Sequence, residues 1–167
     1  MRSEEEANRA LEKYADMIRR ICMVNLKSYA DTEDIFQTVF IKYVLSPKVF
    51  ESEEHEKSWF IRVTMNCCRD YFRSLQLRRT ESLDVLRDYE ASLSDEASEV
   101  ISAVLSLPQK YREPVYLCYY EGYTAPEAAV LLGKNANTVY TLLARAKKLL
   151  RKELAGEEDE KSDTLSV

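Results

Sequence analysis

Along most of this chain apolar residues recur at intervals of three and four, the period of a helix buried on one side. Leu11, Tyr14, Ala15, Ile18, Cys22 and Tyr29 place a first long helix over residues 7–29. From Ala30 to Val44 a wide apolar band follows, made of Ile35, Phe36, Val39, Phe40, Tyr43 and Val44, with Asp31 or Thr32 as its cap. Asp34, Gln37 and Ile41 stand in one line on its flank, which by residue type alone is an ordinary solvated face. A proline, an acidic cluster and the loss of period make residues 46–57 a loop.

Helical period returns over residues 58–79, where Phe60, Val63, Thr64, Cys67 and Tyr71 can face a core. Arg62, Asn66, Arg69 and Arg73 fall on the other side in a single basic stripe, with Trp59 at its start and Arg78 and Arg79 extending the charge. Single-stranded nucleic acid needs aromatic rings to stack on and cations for its backbone. The same residues also describe a solvated basic face with Trp59 in the core, and the sequence leaves both readings open.

Between Thr80 and Ser94 the pattern weakens and the charge turns strongly negative, as in a flexible linker. Ser94 then caps a helix whose face is Val100, Ile101, Val104 and Leu105. Leu107-Pro108 opens another that packs Val115, Leu117, Tyr119 and Tyr120 and stops at Gly122, with Pro114 demanding a kink or a late start. Thr124 with Glu127 forms a capping box, Gly133 ends the short helix it begins, and Asn135 caps the next. There Val139, Leu142, Leu143, Ala146, Leu149, Leu150 and Leu154 make one buried stripe, with Thr141, Arg145, Lys148 and Lys152 opposite. This is a helix-turn-helix pattern, suited to a major groove, and equally the pattern of a packed helical hairpin.

Composition changes the picture in two ways. Only three glycines and four prolines in 167 residues strengthen the helical reading. Cys22, Cys67, Cys68 and Cys118 fit no CxxC spacing and His55 is the only histidine, so neither a zinc site nor a disulfide framework is expected. No metal, no cofactor, no nucleophile paired with a base and no phosphate loop are indicated, which argues against an enzyme. The apolar runs fall short of a membrane span and the N-terminus is no secretion signal, so a cytoplasmic protein without membrane insertion is expected.

The net charge of −5 looks wrong for a nucleic-acid binder until it is divided along the chain. Residues 1–80 carry +1, residues 81–107 carry −6, residues 108–154 carry +4 and residues 155–167 carry −4. The acid lies in a linker and a tail, and the electrostatic objection disappears. The expected fold is all-α: two small helical domains, 1–80 and 99–155, an acidic linker over 81–98, and a disordered acidic tail over 156–167.

Two stretches together resemble a known family. ADTEDIFQTVF, followed about twenty residues later by SWFIRVTMNCCRDYFR, is similar to the second region of bacterial sigma-70-type RNA polymerase sigma factors. LPQKYREPVYLCYYEGYTAPEAAVLLGKNANTVYTLLARAKKLL resembles their fourth region, and the layout is that of the small extracytoplasmic-function (ECF) group. The resemblance implies a subunit that binds core RNA polymerase and directs promoter recognition, melting and initiation. It gives Glu33, Asp34, Gln37 and Ile41 to core-polymerase binding, and the loop with Trp59, Arg62, Asn66, Arg69 and Arg73 to the minus-ten DNA. It gives Asn137, Thr138, Tyr140, Thr141, Arg145 and Lys148 to the minus-thirty-five DNA. It also implies bacterial core polymerase and promoter DNA as partners, with an anti-sigma factor as a further one. Where the family commonly has Lys-Ser-Arg-Leu, this chain has Tyr140-Thr141-Leu142-Leu143, so two cations are absent near the bases. Two other readings remain from the residues: a free-standing helix-turn-helix regulator acting without polymerase, and a helical adaptor that sequesters a protein.

Overall fold

The computed structural model describes residues 1–26, 28–78 and 95–164, with side chains over 1–26, 28–75 and 99–152. Every regular element among them is helical, and the chain divides into two compact units, Met1–Ser98 and Glu99–Val167.

In the first unit three helices, α1 (Glu4–Leu26), α2 (Tyr29–Leu45) and α3 (Glu53–Arg78), each pack against the other two. Tyr14, Ile18, Ile21 and Cys22 of α1 meet Ile35, Phe36, Val39 and Tyr43 of α2 and Phe60, Ile61, Thr64, Met65 and Cys68 of α3 in the core. Two residues of the expected first stripe lie outside it. Leu11 is 39% exposed, and Tyr29, 46% exposed, begins α2 rather than ending α1. The cap of α2 is Ser28 and not Asp31 or Thr32: its hydroxyl accepts from the Asp31 N–H. Thr32 is fully buried and donates its hydroxyl to the Ser28 carbonyl at 2.7 Å.

The loop expected over 46–57 is shorter, because α3 starts at Glu53. The Ser52 hydroxyl accepts from the His55 N–H at 3.1 Å, and Glu53, Glu54 and Glu56 fill the first turn, where the helix dipole favours acids. Capping and charge start this helix before its apolar period becomes visible. The core face of α3 is also wider than Phe60, Val63, Thr64, Cys67 and Tyr71 indicate, since Ile61, Met65 and Cys68 are buried too.

The second unit runs through α4 (Asp95–Ser106), α5 (Gln109–Val115), a π-helical turn (Tyr116–Tyr120), α6 (Ala125–Leu132) and α7 (Ala136–Thr164). The linker expected over 81–98 lies mostly outside the described residues, as does Ser94, and its last four positions begin α4. Pro114 neither delays nor replaces α5, which starts at Gln109 behind Pro108. A proline there removes one backbone donor and crowds the carbonyl four residues back. The backbone widens into the π turn immediately beyond it. The extra residue in that turn rotates the following side chains: Tyr116 is buried, while Tyr119, expected in the core, is 63% exposed. Arg112, 7% exposed, donates to the carbonyls of Leu107 and Leu105, capping the end of α4 from the next helix. The last helix continues to Thr164, into the tail expected to be disordered. That tail holds three glutamates and a lysine, good helix formers, and its one glycine, Gly156, costs only about 1 kcal/mol.

Candidate nucleic-acid and polymerase interfaces

On α3, Arg62, Asn66 and Arg73 are exposed and Arg69 is half-buried. They are not four independent contacts. Arg69 donates from Nη1 to the Asn66 side-chain carbonyl at 3.1 Å, which fixes that amide with its NH2 group directed away from the bond. Arg73 lies 3.8 Å from Asp70, with both groups well exposed, a geometry that contributes little and is easily exchanged for a phosphate.

Trp59 answers both readings of the sequence at once. It is half-buried, with ring centroids 5.2 Å from Phe60, 5.9 Å from Tyr43 and 5.8 Å from Phe50. Phe60 belongs to the core and Phe50 to the loop, so the indole joins the two. On the same loop Val49 is 83% exposed.

On α2, Asp34, Gln37 and Ile41 are exposed in one line, Ile41 to 58%. Glu33 is set apart from them. Its carboxylate accepts from Arg19 Nε at 2.9 Å, and the same guanidinium lies 4.1 Å from the Phe36 ring centroid, tying Glu33 to α1. Behind this line the Tyr71 hydroxyl of α3 donates to Asp31, and burial followed by that hydrogen bond raises the phenol's pKa.

The helix-turn-helix is assembled from local devices. Thr124 accepts from the Glu127 N–H at 3.3 Å and donates to its carboxylate at 2.9 Å. Gly133 closes α6 with φ +65°, and Asn135 accepts from both the Thr138 N–H (2.8 Å) and its hydroxyl (2.9 Å). Val139 and Ala146 are fully buried under α7, while Leu142, Leu143, Leu149 and Leu150 are half-buried. Asn137, Thr138, Tyr140, Thr141, Arg145 and Lys148 all face outward, Tyr140 being 56% exposed. The Thr141 hydroxyl donates back to the Asn137 carbonyl, so this face presents an amide and a phenol ahead of Arg145 and Lys148.

Sequence reasoning missed the residues that hold the loop. Tyr14 and Tyr43 both donate their hydroxyls to Glu56, at 3.1 and 2.7 Å, and Arg2 reaches the loop from the start of the chain. Burial, followed by the charge of Glu56, raises the Tyr14 pKa. Burial and the hydrogen bond to Glu56 push Tyr43 up to about 12. No local spacing announces contacts across 13 to 46 residues. The head of α3, by contrast, was signalled by Ser52 followed by three acids.

Comparison with known proteins gives the family. The family model for sigma-70 region 2 matches residues 10–78 and that for sigma-70 region 4 matches residues 97–150. The chain belongs to the sigma-70 family. Among its relatives, the RNA polymerase sigma factor SigV of Bacillus subtilis is 28% identical over 141 residues, covering 83% of this chain and 85% of SigV. The ECF sigma factor SigW of the same organism is 28% identical over 158 residues, covering 84% of each chain. Two solved structures share the fold: CnrH in complex with the cytosolic domain of CnrY, and RpoE in complex with the anti-sigma factor NepR from Bartonella quintana. Their TM-scores are 0.65 and 0.66 at 22% and 18% identity, covering 92% and 90% of this chain and 90% and 98% of theirs. This sigma factor, of the ECF type, is therefore a polymerase-binding subunit that directs promoter recognition and initiation, and not a free-standing regulator. Sigma factors as a family are not enzymes. Among the described residues no helix is long and apolar enough to cross a membrane.

Proposed function

We propose that residues 1–80 dock on core polymerase through the α2 flank and open the promoter through α3, while residues 99–155 anchor upstream DNA. Asp34, Gln37 and Ile41 supply the polymerase contact, with Glu33 holding α2 in place through Arg19. Arg62, Arg69 and Arg73 take the backbone of the minus-ten strand and Asn66 stands near a base. The indole of Trp59 supports a base extruded from the stack, whose unpairing costs a few kcal/mol. In the second unit Asn137, Thr138, Tyr140 and Thr141 face the minus-thirty-five base edges, and Arg145 and Lys148 take phosphates. The protein contributes no catalytic chemistry of its own and works in the cytoplasm. An anti-sigma protein is a further partner, a reading supported by the recorded RpoE–NepR complex.

The observation that supports this assignment is that the outward line of α2 and the polar stripe of α3 sit on one unit of three mutually packed helices. Reconstitution tests it. Mixed with core polymerase, the protein should yield run-off transcripts from discrete start sites on host DNA, and failure to bind core at all would overturn the reading.

A further inference from the structure

The segment between α2 and α3 is short, exposed and poorly supported by its own bonds. Lys48 N–H to the Ser46 hydroxyl and Glu51 N–H to His55 Nδ1 are both local, and a cleft of about 360 Å³, lined by Arg2, Tyr43, Val49 and Phe50 among others, opens beside the segment. Arg2 spans that gap. Its backbone N–H donates to the Val44 carbonyl at 2.9 Å, Nε donates to the Tyr43 carbonyl at 3.1 Å, and Nη2 donates to the Lys48 carbonyl. Its guanidinium lies 4.3 Å from the Tyr43 ring centroid and 5.0 Å from that of Phe50. Those two rings are stacked, 6.3 Å apart and 11° from parallel, and Phe50 leads directly to Trp59.

The chemistry suits a guanidinium and little else. The carbonyls of Tyr43 and Val44 are among the last four of α2 and carry its partial negative charge; Tyr43's also accepts the Ser46 N–H at 3.2 Å. A planar guanidinium can donate in its plane in two fixed directions while laying a flat face on aromatic rings; an ammonium has no such flat face. We infer that Arg2 is a positioning residue for promoter opening: it straps the α2–α3 loop to the end of α2 and sets Phe50, and through it Trp59, in the arrangement that receives the unpaired strand. This rests on the assignment of the loop and α3 to minus-ten DNA made above.

The test uses the full chain with core polymerase and, as probe, a duplex spanning the strongest start site mapped by run-off transcription of host DNA. Three variants are compared with the parent: Arg2→Ala, Arg2→Lys and Asn66→Ala. Acrylamide quenching of Trp59, the only tryptophan, should rise in free Arg2→Ala. Permanganate reactivity of the opened strand should appear about tenfold more slowly, with core affinity and melting temperature unchanged. Arg2→Lys should fall between Arg2→Ala and the parent. Slow opening in Asn66→Ala with normal opening in Arg2→Ala would overturn the strap alone. Normal opening in both would overturn the minus-ten assignment beneath it. A parallel fall in core affinity and melting temperature in Arg2→Ala would show a general structural role and overturn the inference as well.

Discussion

The two units hold their outward faces in opposite ways. In the second, the devices that place α7 lie within a few residues of one another: Thr124 with Glu127, Gly133 closing α6, Asn135 with Thr138. In the first, the loop and the head of α3 are held from far along the chain, by Arg2 to Lys48 and by Tyr14 to Glu56. Local devices can be lost one at a time, each costing about 1 kcal/mol. Distant ones exist only while the three-helix core brings their partners together. The first unit should therefore lose all its interfaces at once when its core is damaged, and the second should lose its own by degrees.

The sharpest way to break that comparison is Phe60→Ala. This ring is fully buried and lies 4.7 Å from Tyr14 and 4.8 Å from Tyr43, centroid to centroid. Its truncation should cost about 3–5 kcal/mol, a large part of the stability of a small domain. The fluorescence transition of Trp59 should move to much lower denaturant, and core binding should fail with it. A cost under about 1 kcal/mol would mean that the aromatic cluster does not hold the unit together.

Next comes the double change Asp34→Ala with Gln37→Ala, which leaves the core untouched because both side chains are exposed. Interface hot spots are worth about 2 kcal/mol or more, so core affinity should fall roughly thirtyfold. Helicity by circular dichroism should not change, and unaltered affinity would contradict the assignment.

Alkaline pH attacks the tyrosine bonds to Glu56 directly. An unfolded phenol ionises near 10, while folded Tyr43, buried and bonded to Glu56, keeps its proton up to about 12. The folded state holds the extra proton in between, so this stability is complete below about pH 10 and is lost as pH climbs towards 12. Denaturation followed by Trp59 should show a loss of about 1–2 kcal/mol across that window, allowing for solvent near the hydroxyl. Tyr43→Phe should reduce that loss, the remainder coming from Tyr14 and Tyr71, whose hydroxyls are also held protonated by burial and a carboxylate partner.

The same contrast explains what was legible in the sequence. The helix-turn-helix could be read residue by residue, since a cap and its N–H lie three positions apart and Gly133 takes a conformation that favours glycine. Asp34, Gln37 and the stripe from Arg62 to Arg73 were legible as positions on helices, and their purpose came only from resemblance. Arg2, Tyr14 and Glu56 were not legible, because tertiary packing alone brings them together. Tyr119 was placed in the core because the π turn, one residue longer than the helical period, leaves no mark in spacing. The head of α3 was missed for another reason: capping chemistry was outvoted by the absence of period.

Smaller effects belong to the second unit. Gly133→Ala should cost about 1–2 kcal/mol. The added methyl meets nothing within 4 Å, so the cost is that of the left-handed backbone alone. Asn135→Ala should cost about 1 kcal/mol through loss of the cap on Thr138. Thermal melts followed by circular dichroism should show two modest, nearly additive shifts rather than collapse.

The smallest change sharpens the comparison furthest. Arg145 is exposed on α7, beyond the Tyr140-to-Leu143 stretch where the family commonly carries cations, so it is one of few positive groups left on this face. Arg145→Ala should leave the melting curve in place and lower upstream DNA binding by a similar factor on every sequence. The slope of log affinity against log salt should shrink by about one. Were the loss confined to one DNA sequence, Arg145 would be reading a base. Were there no loss, Tyr140 and its neighbours would hold the DNA by packing and hydrogen bonds, with polymerase supplying the charge missing from the Tyr140-to-Leu143 stretch.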